Sequence, residues 1–507
     1  MSMHNRNFYV DSEIGTLKRL LIHSPDGGIG KIIPSTFADN LYDDIVHLRK
    51  MQAEYNEYVR LLLYFVDPEK SAYVNKCLLS GDPDLQKNCF IPGKPEYFNS
   101  DKVLEAQQLL ARMLENENVC LRLVTAICSY EETGYRVQQK LESIADKNIL
   151  AKVLITGILP AALAGEPEDQ FIFPPIPNFI FTRDIAIMIK DHILLSRMAT
   201  TARKRESVLS KYLAIYCLFP DHPEKVIEIV EDSDYFLYEV EERREQLISI
   251  EGGDIMMIHP QHLLVGCSER TSENAVNEIV HTVFSKPELG IEKISVVRIP
   301  KKRAQMHVDT IFTQVKRNVW VLYGKYSELL FEKENIHRFS YLKDLHRNTV
   351  ALPAQETTIL RFEKPVTETY NPSRNYLVET GIRGLEGLLR DISVNDFGCT
   401  EADVKIIYSG DNVFPYDDRE QWTDSCNVVA LKEGVVIGYD RNDRTSNAFA
   451  AAGFSIMTTQ EAFNLFENGA DPHSLKDTLI LLPSSELSRG RGGSHCMSMP
   501  LLREPFI

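Results

Sequence analysis

A short pattern that recurs along the chain constrains the fold more than any other feature. A polar residue precedes an apolar run, a small polar turn and often a second apolar run, which is the signature of a β-hairpin. The five units begin at Asp184, Asp254, Asp309, Asn427 and Cys496. The first two align without a gap as far as His192 and His262. Such self-similarity favours a radially repeated architecture, and the irregular spacing leaves an ordinary mixed sheet as the alternative.

Segments with apolar residues at helical spacing alternate with the hairpins. The predicted helices are Asp43 to Phe65, Lys102 to Asn116, Glu131 to Ile155, Arg203 to Cys217, Ser272 to Phe284, Ile382 to Asp391 and Thr459 to Phe466. Residues 66–100 contain Gly81-Asp82-Pro83 and few periodic residues, which indicates an insertion or ordered loop. We therefore expect an α/β protein with a catalytic domain at 1–65 and 166–507. Residues 66–165 would form an insertion, largely helical with a loop-rich start.

Composition excludes several classes of function. The 507 residues carry 72 acidic and 56 basic side chains, a formal net charge of -16, which argues against a nucleic-acid or anionic-membrane partner. The nine cysteines are scattered without a CxxC pair, so neither a disulfide framework nor a structural zinc site is expected. The N-terminus lacks an apolar signal region, and no apolar run reaches membrane-spanning length. These features predict a cytoplasmic protein.

One cysteine has a distinctive sequence context. Cys496 follows Arg489-Gly490-Arg491-Gly492-Gly493, a flexible and cationic turn, and precedes an apolar run predicted to start a buried strand. Nearby positive charge favours the thiolate, the reactive form of cysteine. We expect His495 to be structural or to act behind the site, because neighbouring side chains on a strand point to opposite faces. Cys267 and Cys426 are predicted to be structural.

Polar clusters at the starts of the hairpins predict a shared site. If the hairpins surround one axis, Asp184, Glu251, His307 and Asp309 converge with Cys496 at one end. Carboxylates beside a thiol raise its pKa unless a cation binds among them. A planar guanidinium fits, because carboxylates bind it with paired, charge-assisted hydrogen bonds. These residues therefore predict nucleophilic attack by a thiol on a guanidinium carbon.

Four separate motifs carry a family resemblance. FTRD at 181–184, EGGD at 251–254, HVDT at 307–310 and RGRGGSHCMSMPLLRE at 489–504 closely resemble the arginine deiminases of the guanidino-group-modifying superfamily. The N-terminal VDSEIGTLKRLLIHSP and YDRN at 439–442 are similar to that family as well. The resemblance covers roughly residues 8–65 and 165–507. It implies a five-bladed, pseudo-fivefold α/β propeller that hydrolyses free L-arginine to L-citrulline and ammonia without a metal or cofactor.

The resemblance also implies catalytic roles. Cys496 would attack the guanidinium carbon. His307 would protonate the departing ammonia and then activate water against the covalent intermediate. Glu251 would orient His307 and contact the guanidinium, while Asp184 and Asp309 would bind the guanidinium nitrogens.

Further positions match the family's recognition of the amino-acid part of the substrate. Arg203, Arg270 and Arg491 would form a clamp for the α-carboxylate, and Phe181 would pack on the methylenes. Asn178 and Gly490 complete the substrate-binding set. Leu41 and Tyr42-Asp43-Asp44 resemble the family's mobile loop over the site.

Alternatives from the same superfamily remain open at this point. An arginine dihydrolase would carry the intermediate on to ornithine, and an amidinotransferase would pass the amidino group to another acceptor. A protein of a different class would be a catalytically silent arginine sensor or assembly protein. The only small-molecule partner expected is L-arginine, and a homo-oligomer is expected.

Overall fold

The apolar hairpins of the sequence form strand pairs in the computed structural model, which describes residues 7–35, 37–229, 248–327, 358–365 and 367–506. The strands in these ranges are β1 Leu17–Ile22, β2 Val103–Glu105, β3 Ile158–Leu159, β4 Gln170–Phe171, β5 Ala186–Ile189, β6 His192–Leu195, β7 Val226–Ile227, β8 Ile255–His259, β9 His262–Cys267, β10 Lys293–Arg298, β11 Phe312–Lys316, β12 Val319–Leu322, β13 Thr358–Glu363, β14 Leu377–Val378, β15 Lys405–Tyr408, β16 Val429–Lys432, β17 Val435–Tyr439, β18 Ser455–Thr458, β19 Thr478–Leu482 and β20 Met499–Arg503.

Five sheets of the described chain share one local topology. Their shared three-strand orders are β5-β6-β7, β8-β9-β10, β11-β12-β15, β16-β17-β19 and β20-β1-β2. In each sheet the first two strands are antiparallel and the second and third are parallel. Strands β13 and β14 extend the second of these sheets, and β18 extends the fourth. The fold is mixed α/β. Its several sheets with a repeated strand order differ from the single ordinary mixed sheet that was the alternative expectation.

The polar leaders of the hairpins lie just before the first strand of a sheet. Asp184 lies in the short helix Thr182–Ile185, directly before β5. Asp254 is the last residue of the 3-10 turn Gly252–Asp254, directly before β8. Asp309 occupies the equivalent turn, Val308–Thr310, before β11. These tight turns place each carboxylate at the same end of its hairpin.

Helices connect the strands and surround the sheets. Those in the described ranges are Leu48–Val66, Pro68–Leu78, Pro83–Asn88, Ala106–Leu114, Glu117–Tyr130, Tyr135–Glu142, Lys147–Thr156, Ala161–Ala164, Thr182–Ile185, Lys204–Leu213, Glu273–Ser285, Gly384–Asp391, Tyr416–Trp422, Asp443–Ala451 and Thr459–Glu467. No helix in this part of the chain is both long and apolar enough to cross a membrane.

Several details of the helix prediction need correction. The helix predicted from Lys102 to Asn116 begins only at Ala106, because Val103–Glu105 form β2. Residues 66–100, predicted as an insertion or ordered loop, contain two helices, because Pro68 and Pro83 lie in the first turn, where the missing N–H costs nothing. The single helix predicted from Glu131 to Ile155 is two helices. The second begins at Lys147, directly after Asp146, whose side chain accepts hydrogen bonds from the backbone N–H groups of Asn148 and Ile149.

The helices of residues 106–156 share a hydrophobic core with the first sheets. Leu110, Leu123 and Leu150 belong to the same buried cluster as Ile187 in β5 and Val265 in β9. Buried apolar surface of this kind is the main stabilising contribution to a fold. The helical region is therefore packed directly onto the β-structure.

Candidate active site

The nucleophile candidate lies in a turn whose backbone is hydrogen-bonded to two neighbouring segments. Ser494 to Met497 form a turn, and the strand predicted from the apolar run after Cys496 is β20, which begins at Met499. Cys496 therefore precedes the strand and does not lie in it, although the prediction for His495 assumed that it does. The Cys496 N–H donates to Asn427 Oδ1 at 3.0 Å, and its carbonyl accepts from the Arg183 N–H at 3.0 Å. Asn427 Nδ2 in turn donates to the Asp309 carbonyl at 3.1 Å. Asn427 thereby ties the cysteine turn to the Asp309 turn.

The thiol of Cys496 contacts a carboxylate directly. Its Sγ lies 3.4 Å from Asp309 Oδ2, and Cys496 is 4% exposed. Burial raises the pKa of the thiol well above its usual value, and the negative charges of Asp309 and Asp184 add to that effect. The thiol is therefore protonated in the empty site at neutral pH.

His495 does not point away from Cys496. Because both residues are in a turn, the His495 Nδ1 reaches the same Asp309 Oδ2 atom at 2.9 Å. The prediction that alternation would separate the two side chains was wrong, since strand geometry does not apply there. Burial would raise the pKa of Asp309, but the hydrogen bond and charge of His495 outweigh it and hold the pKa below its usual value.

His307 lies among three carboxylates. Its Nε2 is 2.9 Å from Glu251 Oε2, and its Nδ1 is 3.8 Å from Asp184 Oδ1. Burial alone would lower the pKa of His307, but the charges of Asp184, Glu251 and Asp254 raise it to about 9. The imidazole is therefore protonated at neutral pH and can act as an acid.

A glycine of the EGGD motif permits this close arrangement. A Cβ on Gly253 would lie 2.7 Å from His307 Nδ1, too close for any side chain. On the other side of the pocket, a Cβ on Gly492 would lie 2.4 Å from Phe181 Cε1. The motif glycines are needed because side chains of the site pack against their backbone.

The guanidinium of Arg203 binds the carboxylates of this site. Its Nη1 donates to Asp184 Oδ2 at 2.7 Å and to Glu251 Oε2 at 3.0 Å. Its Nε and Nη2 donate to Glu206, the shortest contact being 2.8 Å. The sequence predicts that Arg203 is available to bind a substrate carboxylate. In the structure it instead binds Asp184 and Glu251, the carboxylates that were expected to bind a guanidinium.

One pocket brings together nine of the eleven predicted site residues. It is lined by Leu41, Asn178, Phe181, Asp184, Arg203, Arg270, Met306, His307, Thr310, Gly490, Arg491 and Cys496. The other two, Glu251 and Asp309, lie directly behind the lining and contact His307 and Cys496. Little free space remains in the pocket while Arg203 reaches into it.

The predicted loop over the site contributes Leu41 to the lining. Its neighbours are held by polar contacts: the carbonyl of Asn40 accepts from Asn178 Nδ2 at 2.8 Å, and Asp43 pairs with Arg303 Nε at 3.0 Å. Leu41 itself has a left-handed backbone, with φ 62°. These contacts attach the loop to both sides of the pocket.

Several atoms of the site are buried without a hydrogen-bond partner. They are Asp184 Oδ1, Asp309 Oδ1, Arg270 Nε, Arg270 Nη1, Arg491 Nε and Arg491 Nη1. A buried polar group without a partner costs about 1–3 kcal/mol. Longer ion pairs remain at two of these groups, Asp184 Oδ1 with His307 at 3.8 Å and Arg270 Nη1 with Glu251 at 3.6 Å. The pocket region thus combines carboxylate oxygens and guanidinium N–H groups that lack a hydrogen-bond partner, which suits a ligand that carries both charges.

Sequence reasoning did not assign a role in the site to three residues that the structure brings into it. Glu206 pairs with Arg203, and the signal was its position one helical turn later in Thr201-Ala202-Arg203-Lys204-Arg205-Glu206. Glu13 reaches His495 Nε2 at 3.1 Å, and its motif had been recognised only as part of a resemblance. Trp422, whose ring centroid lies 3.4 Å from the Arg491 guanidinium carbon, had no signal in the sequence.

A buried thiol, a protonated histidine and carboxylates around one pocket are typical of enzymes that use a cysteine nucleophile. Residues 100–503 match the family model for arginine deiminase, so the chain belongs to the arginine deiminase family.

Curated relatives match along nearly the full length. An arginine deiminase of Borreliella afzelii is 27% identical over 503 residues, covering 97% of both chains. One of Mycoplasma capricolum subsp. capricolum is also 27% identical, covering 98% of this chain and 97% of the relative. One of Clostridium perfringens is 26% identical and covers 99% of both chains.

Solved structures give weaker similarities. An amidinotransferase from Microseira wollei aligns over 98% of both chains with 11% identity and a TM-score of 0.43. The N-terminal domain of a cyanobacterial arginine dihydrolase covers 64% of this chain and 76% of its own, with 13% identity and a TM-score of 0.35. Similarities at this level carry no argument about the reaction.

Proposed function

We propose that this protein hydrolyses free L-arginine to L-citrulline and ammonia through a covalent intermediate on Cys496. The observation that carries the proposal is the complementary set of unpartnered atoms around one pocket. Asp184 and Asp309 each have a carboxylate oxygen without a hydrogen-bond partner, which a guanidinium can supply. Arg270 and Arg491 each have N–H groups without a hydrogen-bond partner, which a carboxylate can accept, although Arg270 also lies in ion pairs at 3.6 Å. Cys496 lies in the same pocket, where it can reach a guanidinium carbon.

The first half of the reaction joins the thiol to the substrate. Arginine binding brings positive charge to Asp184 and Asp309, which removes part of the repulsion that keeps the thiol protonated. Cys496 then releases its proton to solvent, and its Sγ forms a bond to the guanidinium carbon. His307, protonated at neutral pH, donates a proton to one nitrogen, and the C–N bond breaks to release ammonia. The product of this half is an S-linked thiouronium.

The second half uses the histidine that has just lost its proton. Neutral His307 accepts a proton from water, and the water oxygen bonds to the same carbon. The C–S bond then breaks, citrulline leaves, and Cys496 recovers its proton. Glu251, 2.9 Å from His307 Nε2, holds the ring in place and stabilises its charged form. The balance is cationic arginine plus water to citrulline plus ammonium, because the released ammonia takes up the proton that Cys496 lost in the first half.

Arg203 must change position during this cycle. Its guanidinium now occupies Asp184 and Glu251, so substrate binding displaces at least its Nη1. Arg203 can stay hydrogen-bonded to Glu206 while its Nη1 is displaced, since Glu206 accepts from the Nε and Nη2 side of the guanidinium. The displaced Arg203 would then be available with Arg270 and Arg491 for the substrate carboxylate, and Asn178 and Phe181 would contact the rest of the amino acid.

The five sheets with a shared strand order support the proposed five-bladed propeller. In that arrangement the leaders Asp184, Asp254, Asp309, Asn427 and Cys496 meet around one axis, consistent with the contacts among them. Within it we place the catalytic domain at residues 1–65 and 166–507 and the insertion at 66–165. Homo-oligomer formation and a cytoplasmic location stay predictions, of which light scattering tests the first.

Product analysis tests the proposal. Purified protein is incubated with L-arginine, and citrulline, ornithine and ammonia are quantified, with Cys496→Ala as the matched control. We expect citrulline and ammonia in equal amounts and no product from the control. Ornithine with two ammonia per arginine would establish a dihydrolase, transfer to an added amine an amidinotransferase, and binding without turnover a sensor. Residual activity of even a few per cent in the control would exclude the covalent mechanism.

A further inference from the structure

Two buried residues behind Asp309 have no part in the reaction as written. The His495 ring lies between carboxylates: Nδ1 is 2.9 Å from Asp309 Oδ2, and Nε2 is 3.1 Å from Glu13 Oε2. All three residues are less than 5% exposed. Because a carboxylate can only accept, His495 satisfies both neighbours when each ring nitrogen carries a hydrogen.

Glu13 is an ionised anchor for this histidine. Arg183 donates to both of its oxygens, at 3.2 and 3.1 Å. Burial would raise the pKa of Glu13, but the charges of Arg183, His495 and Arg503 keep it far below the usual value. Arg183, Glu13, His495 and Asp309 thus form one chain of hydrogen bonds behind the thiol.

The two oxygens of Asp309 are used differently. Oδ2 accepts from His495 and contacts the Cys496 thiol, whereas Oδ1 is buried without a partner. A carboxylate that could rotate would offer either oxygen to the substrate. The contact with His495 determines which oxygen remains free.

We propose that His495, anchored by Glu13, is a positioning residue that keeps Asp309 ionised and leaves its Oδ1 free for the substrate guanidinium. This inference rests on the proposed function, because it concerns the carboxylate that would bind the substrate. Arg183, Glu13 and His495 thus form a polar relay behind Asp309, in addition to the residues that would touch arginine.

Other charges bear on Asp309 and must be considered with His495. His307 and Arg183 lower its pKa, and Asp424 and Asp184 are further buried carboxylates near the thiol. Removal of His495 leaves these groups in place. An opposite charge within about 4–6 Å typically lowers a carboxyl pKa by about 1–3 units, so its loss raises the Asp309 pKa by a comparable amount.

The test measures arginine binding against pH in a protein that does not turn over. The Cys496→Ser protein retains a hydroxyl donor for Asp309. Calorimetry of arginine binding to this protein at several pH values gives the acid limb, which is the pH range in which the affinity falls as pH is lowered. Adding His495→Ala should move that limb upward by about 1–3 pH units. His495→Asn, which retains a neutral donor near Nδ1, should move it less.

His262 provides a matched control. It is another fully buried histidine with a carboxylate at Nδ1, 2.6 Å from Asp396, and it lies outside the pocket lining. His262→Asn should lower the thermal midpoint without moving the acid limb. A purely structural role for His495 predicts the same result for His495→Asn.

Each outcome decides the inference. An acid limb unchanged in both His495 variants overturns it, and if the Ala variant does not fold, the Asn variant decides alone. If the Cys496→Ser protein binds no arginine at any pH, the proposed function fails instead. The relay is then read from iodoacetamide alkylation of Cys496 in the native-thiol protein. Loss of His495 should slow this reaction at mildly alkaline pH, because the charge of Asp309, no longer shared with His495, then raises the pKa of the Cys496 thiol further. An unchanged rate overturns the relay.

Discussion

Replacement of Arg491 by alanine is the sharpest test of how the pocket recognises its ligand. Arg491 is 5% exposed, lines the pocket and has two buried N–H groups, at Nε and Nη1, without a partner. Its guanidinium is kept in place by the Trp422 ring and by a hydrogen bond from Nη2 to the Ala304 carbonyl at 3.3 Å. The group is therefore oriented before any ligand arrives.

The expected magnitude follows from those two donors. A hydrogen bond to a charged group contributes about 1.5–3 kcal/mol, so two of them contribute about 3–6 kcal/mol. At about 1.4 kcal/mol per factor of ten, Arg491→Ala should lower kcat/KM for arginine by roughly 10²- to 10⁴-fold. Arg489→Ala is the control from the same turn: Arg489 is 42% exposed and pairs with Asp44 at the surface, so its loss should cost less than about 1 kcal/mol.

Agmatine separates recognition of the carboxylate from damage to the site. It has the guanidinium of arginine but no carboxylate, so the wild-type protein should use it poorly. Arg491→Ala should change the already low kcat/KM for agmatine by no more than a few-fold from the wild-type value, while kcat/KM for arginine falls. The assay is citrulline or carbamoylputrescine formation from the two substrates at matched concentrations. An equal loss with both substrates, or wild-type activity on agmatine as high as on arginine, would refute the carboxylate clamp.

The remaining predictions concern charge. Thiolate absorbance in the free enzyme should appear only at high pH and should shift to lower pH when a cationic ligand binds, because burial and Asp309 raise the pKa of Cys496; a thiolate already dominant at pH 6 would contradict substrate assistance. Glu251→Gln removes a negative charge from His307, whose pKa is about 9, so the alkaline limb of kcat should move to lower pH, and an unmoved limb would show that another group is the acid. His23 is buried between Glu105, at 2.8 Å, and Asp26, at 3.3 Å; burial would lower its pKa, but these carboxylates raise it to about 9. Since that pKa is raised from about 6.5 in the unfolded chain, His23 contributes roughly 3 kcal/mol that is fully present below pH 6.5 and is lost as pH rises through 9. His23→Gln should therefore lower the melting temperature at pH 6 far more than at pH 10, and parallel curves would contradict this.

The hairpins and the site motifs could be predicted from the sequence because their signals are local. The apolar runs after Asp184 and Asp254 form β5 and β8 with the expected partners, β6 and β9. Motif glycines such as Gly253 indicate close backbone approach, and the structure places His307 against that residue. Period and turn chemistry are properties of short segments, so one sequence suffices to read them.

What could not be predicted depends on partners distant in sequence. The direction of the Arg203 side chain follows from Asp184 and Glu251, the latter 48 residues away. The direction of the His495 side chain was predicted wrongly because the rule for strands was applied to a turn, and its partner Glu13 is 482 residues away. Propeller geometry and the catalytic roles stay predictions.

The pairing of β1 with β20 has a consequence for how the protein is made. Leu17 pairs with Arg503, so the sheet β20-β1-β2 cannot be completed until residue 503 has left the ribosome. Cys496 emerges just before that closing strand, and until then β1 presents an open edge to other chains. A prematurely terminated product would lack both the nucleophile and the strand that protects β1. Nascent chains are therefore expected to become catalytically competent only after residue 503 has been synthesised, and chains that end before Cys496 should be inert and prone to aggregate.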